Sequence, residues 1–402
     1  MNKSRGFCKS LDEEELNGSL AYIKLTINLR KEPHMYNLPQ IIRPMQYELF
    51  PVLISKHALQ LTPKVESLIY TLELLEIEKY VRQCHMQKMG RPFKSRCSLV
   101  RSFVVQHVYN IGTVTNLREL IINDRNLYLI CGYGSPEQVP SLATFSRAFD
   151  EFSKIGLCDI VLSILNRRYQ EDYQLMHTSI DSTAIEVREK PRKSDKPTKI
   201  QKKKRGRPCK GEIRPEKDPV ALEIQKLQSE DEIIRGLHKH CTYGTKTGSK
   251  GKIYNWIGYK AHIAWGDGML PLCVITTAAS THDSQVAIPL MKKVSKQFNY
   301  YYDLLDSAYD AKTIREVSEQ LNHKPLIDPN KRRGNVPEER LLDPAAQTRY
   351  KERTNAERGN SRLKDEFGLK NIRYRGHAKV HLYIMFSVLC LYADQLVKHT
   401  LQ

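Results

Sequence analysis

Near the C-terminus of this 402-residue chain runs the sequence Tyr350-Lys-Glu-Arg353-Thr-Asn-Ala-Glu357-Arg-Gly-Asn-Ser-Arg-Leu-Lys364. At the about 100° per residue of an α-helix, its Tyr, first Arg, second Glu and final Lys fall on one stripe roughly 60° wide. An apolar face lies beside that stripe, formed by Ala356, Leu363 and Phe367. The segment is therefore predicted to be a helix that presents one carboxylate among a phenol, a guanidinium and an ammonium group.

A single carboxylate surrounded by cations is a poor general base, because the cations hold it in its ionised form. Such a carboxylate is better suited to bind a metal ion, while the neighbouring cations bind phosphates. The alternative is a solvated helix with ordinary ion pairs between residues four apart. The rest of the chain has to decide between these two interpretations.

The composition indicates a globular protein with a polyanionic partner. The formal net charge is +19, and 40% of the residues are hydrophobic, with a pI near 9.4. The length allows two or three domains. Nucleic acid is favoured over a membrane, since the sequence has no run of about 18 apolar residues and no signal peptide. Nine scattered cysteines without a C-x-x-C pair are typical of reduced thiols in the cytoplasm.

Asp181 lies inside the stretch 173–187, which is rich in β-forming residues. Strand propensity alone disfavours an acid at such a position. The residue is either an exposed acid on an edge strand or a ligand, and Thr183 is predicted to share its face of the sheet.

Asp306 follows a short apolar strand that begins near Tyr300. In open α/β sheets, ligands gather at the carboxyl ends of the strands, where this residue is expected to lie. Asp303 and Asp310 are the rival acids, one inside the strand and one in the helix that follows.

The spacing Y-x2-R-x3-E-x6-K resembles the C-terminal signature of the DDE insertion-sequence transposases. The Asp-Ser-Thr at Asp181 resembles the first aspartate motif of that family, and Leu-Leu-Asp-Ser-Ala-Tyr-Asp at Asp306 resembles the second. The resemblance implies an RNase H-like fold in which Asp181, Asp306 and Glu357 bind two Mg²⁺ ions, with Mn²⁺ as a substitute. It also implies that water attack frees a 3′-hydroxyl at the transposon end, which then attacks target DNA.

In the same family the other signature residues lie against the transposon end. The resemblance therefore implies that Tyr350, Arg353 and Lys364 contact DNA beside the metal ions. Arginine binds a phosphate with two parallel hydrogen bonds, whereas lysine acts as a point charge.

Residues 62–165 have apolar residues three and four positions apart, which predicts a bundle of five or six short helices. The last of these helices is expected to be capped by Ser141, with Leu142, Phe145 and Phe149 on its apolar face. No function is assigned to residues 1–60.

Thr144, Ser146 and Arg147 are predicted to be exposed beside that apolar face, where they could meet DNA as part of a helix-turn-helix element. A purely structural helical cap is the alternative. The segment also resembles the N-terminal domain of the transposase family, which implies recognition of the transposon ends.

A basic stretch, residues 190–217, holds thirteen Lys or Arg residues against three acids. Its Arg-Gly-Arg-Pro resembles an AT-hook core, a narrow arm whose guanidinium groups enter an A/T minor groove. The alternative is a generic phosphate-binding surface. In either case an insertion that faces DNA is predicted, with contacts from Lys202, Lys203, Lys204, Arg205 and Arg207.

Alternation at period two predicts a strand over 253–265, and a turn at Gly266 leads to a returning strand over 270–278. One helix is expected over 219–237. Another is expected over 283–296, with Asp283 as its cap or as an acid of its first turn. A final apolar helix from about residue 377 either packs on the catalytic domain or pairs two subunits.

These features predict an α/β fold: an RNase H-like mixed sheet flanked by helices and preceded by an all-α helical-bundle DNA-binding domain. The expected boundaries are an N-terminal arm at 1–60, the helical domain at 61–165, the catalytic domain at 170–370 with a basic insertion at 188–250, and a C-terminal helix at 371–402.

The predicted function is a DNA transposase that acts on double-stranded DNA as a homodimer, because two ends must be cut and joined together. It is expected in the cytoplasm of a bacterial cell, associated with the nucleoid. One alternative is an RNase H-like endonuclease without strand transfer. The other is an inactive transposase-derived repressor, which the intact acids disfavour.

Overall fold

A computed structural model of the chain describes residues 62–81, 94–170, 175–192, 221–247, 251–330, 341–370 and 372–401. Two sequence predictions lie outside these residues. They are the N-terminal segment 1–60 and the basic DNA contacts at Lys202, Lys203, Lys204, Arg205 and Arg207.

The first described part of the chain is helical, as predicted. Its helices are α1 (Pro63–Leu75), α2 (Arg96–Val108), α3 (Val114–Asn123), α4 (Arg125–Ile130), α5 (Leu142–Ile155) and α6 (Leu157–Gln170). Most of their starts follow from side-chain caps. The Thr113 hydroxyl accepts from the backbone of Asn116 at 3.1 Å, and Asp124 accepts from the backbone of Asn126 at 2.8 Å.

Helix α5 departs from the prediction in its first turn. Ser141 makes no side-chain hydrogen bond to the helix backbone, and the Leu142 side chain is exposed rather than part of the apolar face. Phe145, Phe149 and Phe152 are buried instead. The buried face thus begins one turn later than expected, and the serine side chain does not cap the helix.

The second part is built on a mixed six-stranded sheet. Its strands are β1 (His177–Glu186), β2 (Thr242–Thr247), β3 (Ile253–Trp265), β4 (Pro271–Ala278), β5 (Tyr302–Leu305) and β6 (Lys324–Ile327). The order is β2-β3-β1-β5-β6, with β4 also paired to β3. Strand β3 runs antiparallel to β1, β2 and β4, whereas β1, β5 and β6 are mutually parallel. The predicted mixed sheet flanked by helices is confirmed.

Helices connect these strands: α7 (Ala221–Leu227), α8 (Glu230–Gly236), α9 (Ser284–Ser295) and α10 (Lys312–Gln320). The prediction of a single helix over 219–237 is wrong, because the helix is interrupted at Ser229. The Ser229 hydroxyl and the Glu232 carboxylate cap each other's backbone in a capping box that starts α8.

The stretch that carries the transposase-like signature is not one uninterrupted α-helix. Helix α11 (Pro344–Tyr350) and helix α12 (Thr354–Asp365) are joined by a tighter 3₁₀ turn over Lys351–Arg353. A 3₁₀ turn has three residues per turn rather than 3.6, so it rotates α11 relative to α12. The side chains of the predicted stripe therefore differ in exposure: that of Arg353 is 16% exposed and that of Glu357 is 58% exposed.

The C-terminal helix α13 (His377–Leu401) joins the two parts of the fold. It packs on α1, α2, α5 and α6 on one side and on β4 on the other. Phe386 stacks on Phe149 and lies 5.8 Å from Phe103, measured between ring centroids. By length and composition α13 could cross a membrane, but 78% of that segment is buried inside the fold, as in a core helix.

Candidate active site

Two of the predicted acids come from neighbouring parallel strands. Asp181 lies within β1 opposite Ile263 of β3, and Asp306 follows directly after β5. Because β1 pairs with β5, the sheet brings the two carboxylates together. Their charges interact, since Asp306 contributes to raising the pKa of Asp181.

Asp181 is held in an environment that disfavours its charge. Burial raises the pKa of its carboxyl to about 6, against the opposing charge of Arg353. The side-chain amide of Asn360 donates to Asp181 Oδ2 at 2.9 Å. The carboxylate is thus oriented by an amide from α12 while it remains costly to ionise.

Asp306 is placed by the turn that follows β5. Its carboxylate accepts from the backbone N–H of Ala308 at 2.9 Å. Burial raises the pKa of Asp306, while that hydrogen bond and the charge of Arg353 lower it and Asp283 raises it. Both strand-borne acids therefore have raised pKa values.

The two rival acids are engaged elsewhere. Asp303 is fully buried and accepts from the hydroxyls of Thr178, Tyr300 and Ser318, the last at 2.6 Å. Asp310 pairs with Arg315 at 2.9 Å. These contacts stabilise the structure around β5 and β6.

Arg353 lies among the carboxylates. Its Nη2 donates to Glu357 Oε1 at 2.8 Å, and its buried Nη1 has no hydrogen-bond partner among the described residues. Burial alone would lower the pKa of Arg353, but the negative charges of Asp181 and Asp306 are among those that raise it overall. The guanidinium is the cation that both strand-borne acids face.

Glu357 stands apart from the two aspartates. Its exposed carboxylate turns to Arg353, and the described residues contain no group of three or more His, Cys, Asp or Glu side chains arranged to hold a metal ion. The structure thus brings Asp181 and Asp306 together and links Glu357 to them through the arginine.

Close packing of α12 on the sheet depends on Gly359. A Cβ atom at this position would lie 2.5 Å from the indole of Trp265 at the end of β3. The absence of a side chain lets the helix approach the sheet closely enough for Asn360 to reach Asp181.

Tyr350 and Lys364, the remaining signature residues, take different positions. The Tyr350 hydroxyl donates to the backbone carbonyl of Leu305 at 3.0 Å, one residue before Asp306. Burial lowers the pKa of Lys364, which also senses the charges of Lys246 and Asp181. Tyr350 therefore supports the end of β5, and the charge of Asp181 is among those that act on Lys364.

Two residues at the site, Asn360 and Tyr309, were not predicted from the sequence. Asn360 contacts Asp181 directly. Tyr309 is buried with no hydrogen-bond partner for its hydroxyl among the described residues, and burial followed by Asp283, Asp181 and Asp306 raises its pKa. Residue type alone does not predict either role, because both roles depend on tertiary packing.

Asp283 occupies the N-cap position of α9, as one of the two predicted alternatives has it, but its side chain makes no capping hydrogen bond. Instead its carboxylate pairs with Lys260 of β3 at 2.9 Å. The lysine also donates to the Thr281 carbonyl at 2.9 Å. An ion pair across the sheet therefore fixes a further acid near Asp306.

The donor set fits a hard divalent cation. Asp181 and Asp306 offer carboxylate oxygens whose charges disfavour each other without a cation between them. The buried Oδ1 of Asn360 and the Tyr309 hydroxyl lack partners among the described residues, which leaves polar groups available at the same place. The carboxylate of Glu357, which pairs with Arg353 at 2.8 Å, lies on the same helix as Asn360.

Arg147 of the helical region lies on the surface, as predicted. Among the described residues its guanidinium donates locally, to the Ala143 carbonyl at 3.3 Å and to the Thr144 hydroxyl at 3.5 Å. Ser146 is also exposed. These side chains are accessible to a partner.

Two family models match the chain. One, described as a transposase DDE domain, matches residues 172–393, more than half of the chain. The other, described as a transposase domain (DUF772), matches residues 56–151, the helical region. No curated protein and no solved structure matches. The sheet order and the first match agree with an RNase H-like domain.

Proposed function

This chain belongs to the transposase DDE domain family, and on that premise we propose that it cleaves transposon ends and joins the freed 3′-hydroxyl to target DNA. The observation that carries the proposal is the meeting of Asp181 and Asp306 under α12, whose Asn360 binds the first aspartate. Buried carboxylates with raised pKa values are typical of a catalytic centre.

Members of this family generally use divalent metal ions. We propose that Asp181, Asp306 and Glu357 bind two Mg²⁺ ions, which Mn²⁺ can replace. When bound, such ions would activate the attacking oxygen and neutralise charge on the leaving oxygen of an in-line displacement. Asp181 and Asp306 would contribute by being ionised, oriented and close to each other, and Glu357 by supplying a third carboxylate from α12.

The remaining groups of the site have roles of their own in this proposal. Asn360 keeps one oxygen of Asp181 fixed. Arg353 neutralises the carboxylates in the resting protein and binds a DNA phosphate during the reaction, since a guanidinium suits both anions. Lys364 holds a second phosphate, and Tyr350 fixes the strand end beside Asp306.

The partner is DNA carrying the transposon ends, as the family implies. We further propose contacts to it from Arg147 of the helical region and from the basic residues Lys202, Lys203, Lys204, Arg205 and Arg207. Target DNA is the second substrate, and a homodimer would cut and join both ends together. The proposed location is the cytoplasm, at the nucleoid.

We propose the domain boundaries expected from the sequence: a helical DNA-binding domain at 61–165, a catalytic domain at 170–370 with its insertion at 188–250, and the helix at 371–402. The helices α1–α6 all precede β1, which supports the first boundary. The packing of α13 on both parts suggests that neither part is stable without this helix.

A joining assay tests the function. Purified protein would be mixed with Mg²⁺, a labelled duplex carrying the ends of the element that encodes the chain, and a supercoiled plasmid. The proposal predicts nicked ends and labelled plasmid. Cleavage without labelled plasmid would instead indicate an endonuclease, and binding with neither step would indicate a repressor.

A further inference from the structure

The β2–β3 hairpin carries exposed side chains that have no role in the proposed reaction. Its strands pair from Thr242–Gly258 to Thr247–Ile253. The indole of Trp256 lies against Gly244, so closely that a side chain at the glycine would overlap the ring. The hairpin is thus packed by its own side chains along the described residues.

Large apolar and aromatic side chains on this hairpin face solvent. Tyr243, Ile253 and Tyr254 are each more than half exposed, and the nearby Lys246 and Lys252 are exposed as well. Exposed aromatic residues interleaved with lysines are typical of a surface that binds nucleic acid, through contacts to sugars, bases and phosphates.

The hairpin is attached to the catalytic sheet at Glu186, the last residue of β1. The Tyr254 hydroxyl donates to the Glu186 carboxylate, and Lys246 is the cross-strand neighbour of Tyr254. Burial lowers the pKa of Lys364 of α12, and the charge of Glu186 opposes that effect. The Tyr254–Glu186 contact therefore ties the basic hairpin to β1, the strand that carries Asp181.

The charge of the hairpin residue Lys246 acts on Lys364 of α12. After burial, Lys246 is the largest influence that lowers the pKa of Lys364. Among the described residues, neither lysine has a carboxylate within ion-pair distance. Two like charges held together without an ion-pair partner form a site for an external anion.

We propose that the β2–β3 hairpin binds the phosphate backbone of the transposon-end duplex, with Lys246 and Lys364 holding neighbouring phosphates and Tyr254 contacting the backbone between them. This rests on the proposed function. The end duplex is the occupant, because the Tyr254–Glu186 contact ties the hairpin to β1, the strand that carries Asp181, so that DNA bound here is the DNA whose strand enters the site.

The test compares Lys246→Glu and Lys246→Ala with wild type in binding the labelled end duplex across a range of salt concentrations. We expect Lys246→Ala to bind about tenfold more weakly and the salt slope to fall by about one, because one phosphate contact is lost. Lys246→Glu is expected to be weaker still, and Lys246→Arg to retain most of the affinity.

Lys324→Ala is the matched control, since Lys324 is an exposed lysine at the start of β6, away from the carboxylates at the strand ends. It is expected to leave affinity and slope unchanged. Unfolding midpoints and Mg²⁺ binding measured by calorimetry should match wild type in every variant, which separates lost contact from lost structure.

Two results would overturn the inference. One is wild-type affinity and slope for the end duplex in Lys246→Glu. The other is unchanged end binding with loss of plasmid binding alone, which would assign the hairpin to target DNA. If wild type neither cleaves nor joins, the proposed function fails, while the affinity comparison still decides whether the hairpin binds DNA.

Discussion

Arg353 donates to Glu357 at 2.8 Å across one turn of the chain, and its charge also reaches Asp181 and Asp306. One guanidinium therefore interacts electrostatically with three carboxylates, which come from two strands and a helix. A divalent ion bound by these carboxylates, as proposed, would compete with this arginine for the same negative charge.

Replacing Arg353 by Ala separates metal binding from catalysis. Mg²⁺ should bind several-fold more tightly, because the competing cation is gone, whereas end cleavage should fall about 100-fold with the loss of a phosphate contact. Calorimetry measures the first effect and single-turnover cleavage the second. Weaker Mg²⁺ binding together with unchanged cleavage would contradict this account of the arginine.

Asp181 should make the metal-free protein less stable as pH rises. Its pKa in the folded protein is raised by burial to about 6 from 3.8, so the folded state binds a proton more tightly than the unfolded chain. Its contribution to the free energy of unfolding is present below about pH 4 and is lost as pH rises through about 6. The loss at pH 7 is at most about 3 kcal/mol.

Asp181→Asn removes that ionisation. At pH 7 with a chelator present, the variant should be more stable than wild type in urea, and its stability should depend less on pH between about 4 and 6. Glu352→Gln is the control, because Glu352 is exposed on the 3₁₀ turn. Lower stability of Asp181→Asn than of wild type at pH 7 would show that burial does not disfavour the charge.

Asn360→Ala tests the hydrogen bond that orients Asp181. Loss of such a supporting group typically costs about 10- to 100-fold in metal affinity or activity, and we expect that loss in both Mg²⁺ affinity and cleavage. Asn355→Ala is the matched control on the same helix, since the Asn355 amide donates to the Glu352 carboxylate rather than to Asp181. Equal behaviour of the two variants would remove Asn360 from the site.

Gly359→Ala tests the close approach of α12 to the sheet. The added methyl group would overlap the indole of Trp265, and we expect a loss of about 1–3 kcal/mol in the free energy of unfolding together with reduced cleavage. Gly236→Ala is the control, because no atom lies within 4 Å of a Cβ there. A Gly359→Ala protein as stable and active as wild type would mean that the helix can shift without consequence.

The sequence allowed the architecture to be predicted where patterns were local. Alternation over Ile253–Trp265 predicted β3, and helical spacing predicted α1. The break at Ser229 was also predictable, because Ser229 and Glu232 have the spacing of a capping box. The sequence prediction nevertheless gave one continuous helix over 219–237.

The site was only partly accessible from sequence. Asp181 and Asp306 could be assigned to strands from the local β-pattern, and the resemblance to a known family implied that an RNase H-like fold brings them together. The roles of Asn360 and Tyr309 depend on how closely α12 and the turn after β5 pack on the sheet. The contact between Arg353 and Glu357 depends on side-chain placement that helical spacing makes possible but does not determine.

The central claim is that Asp181, Asp306 and Glu357 act as one metal-binding site. The most direct measurement is single-turnover cleavage of the end duplex with Mg²⁺ by the three single Ala variants and the three double variants, alongside Glu352→Gln. Residues that act as a unit have non-additive effects, so each single change should lower the rate about 1,000-fold or more and each double change little further. DNA affinity should stay within about twofold of wild type in all of them. Wild-type cleavage by any single Ala variant would contradict the claim and remove that carboxylate from the site.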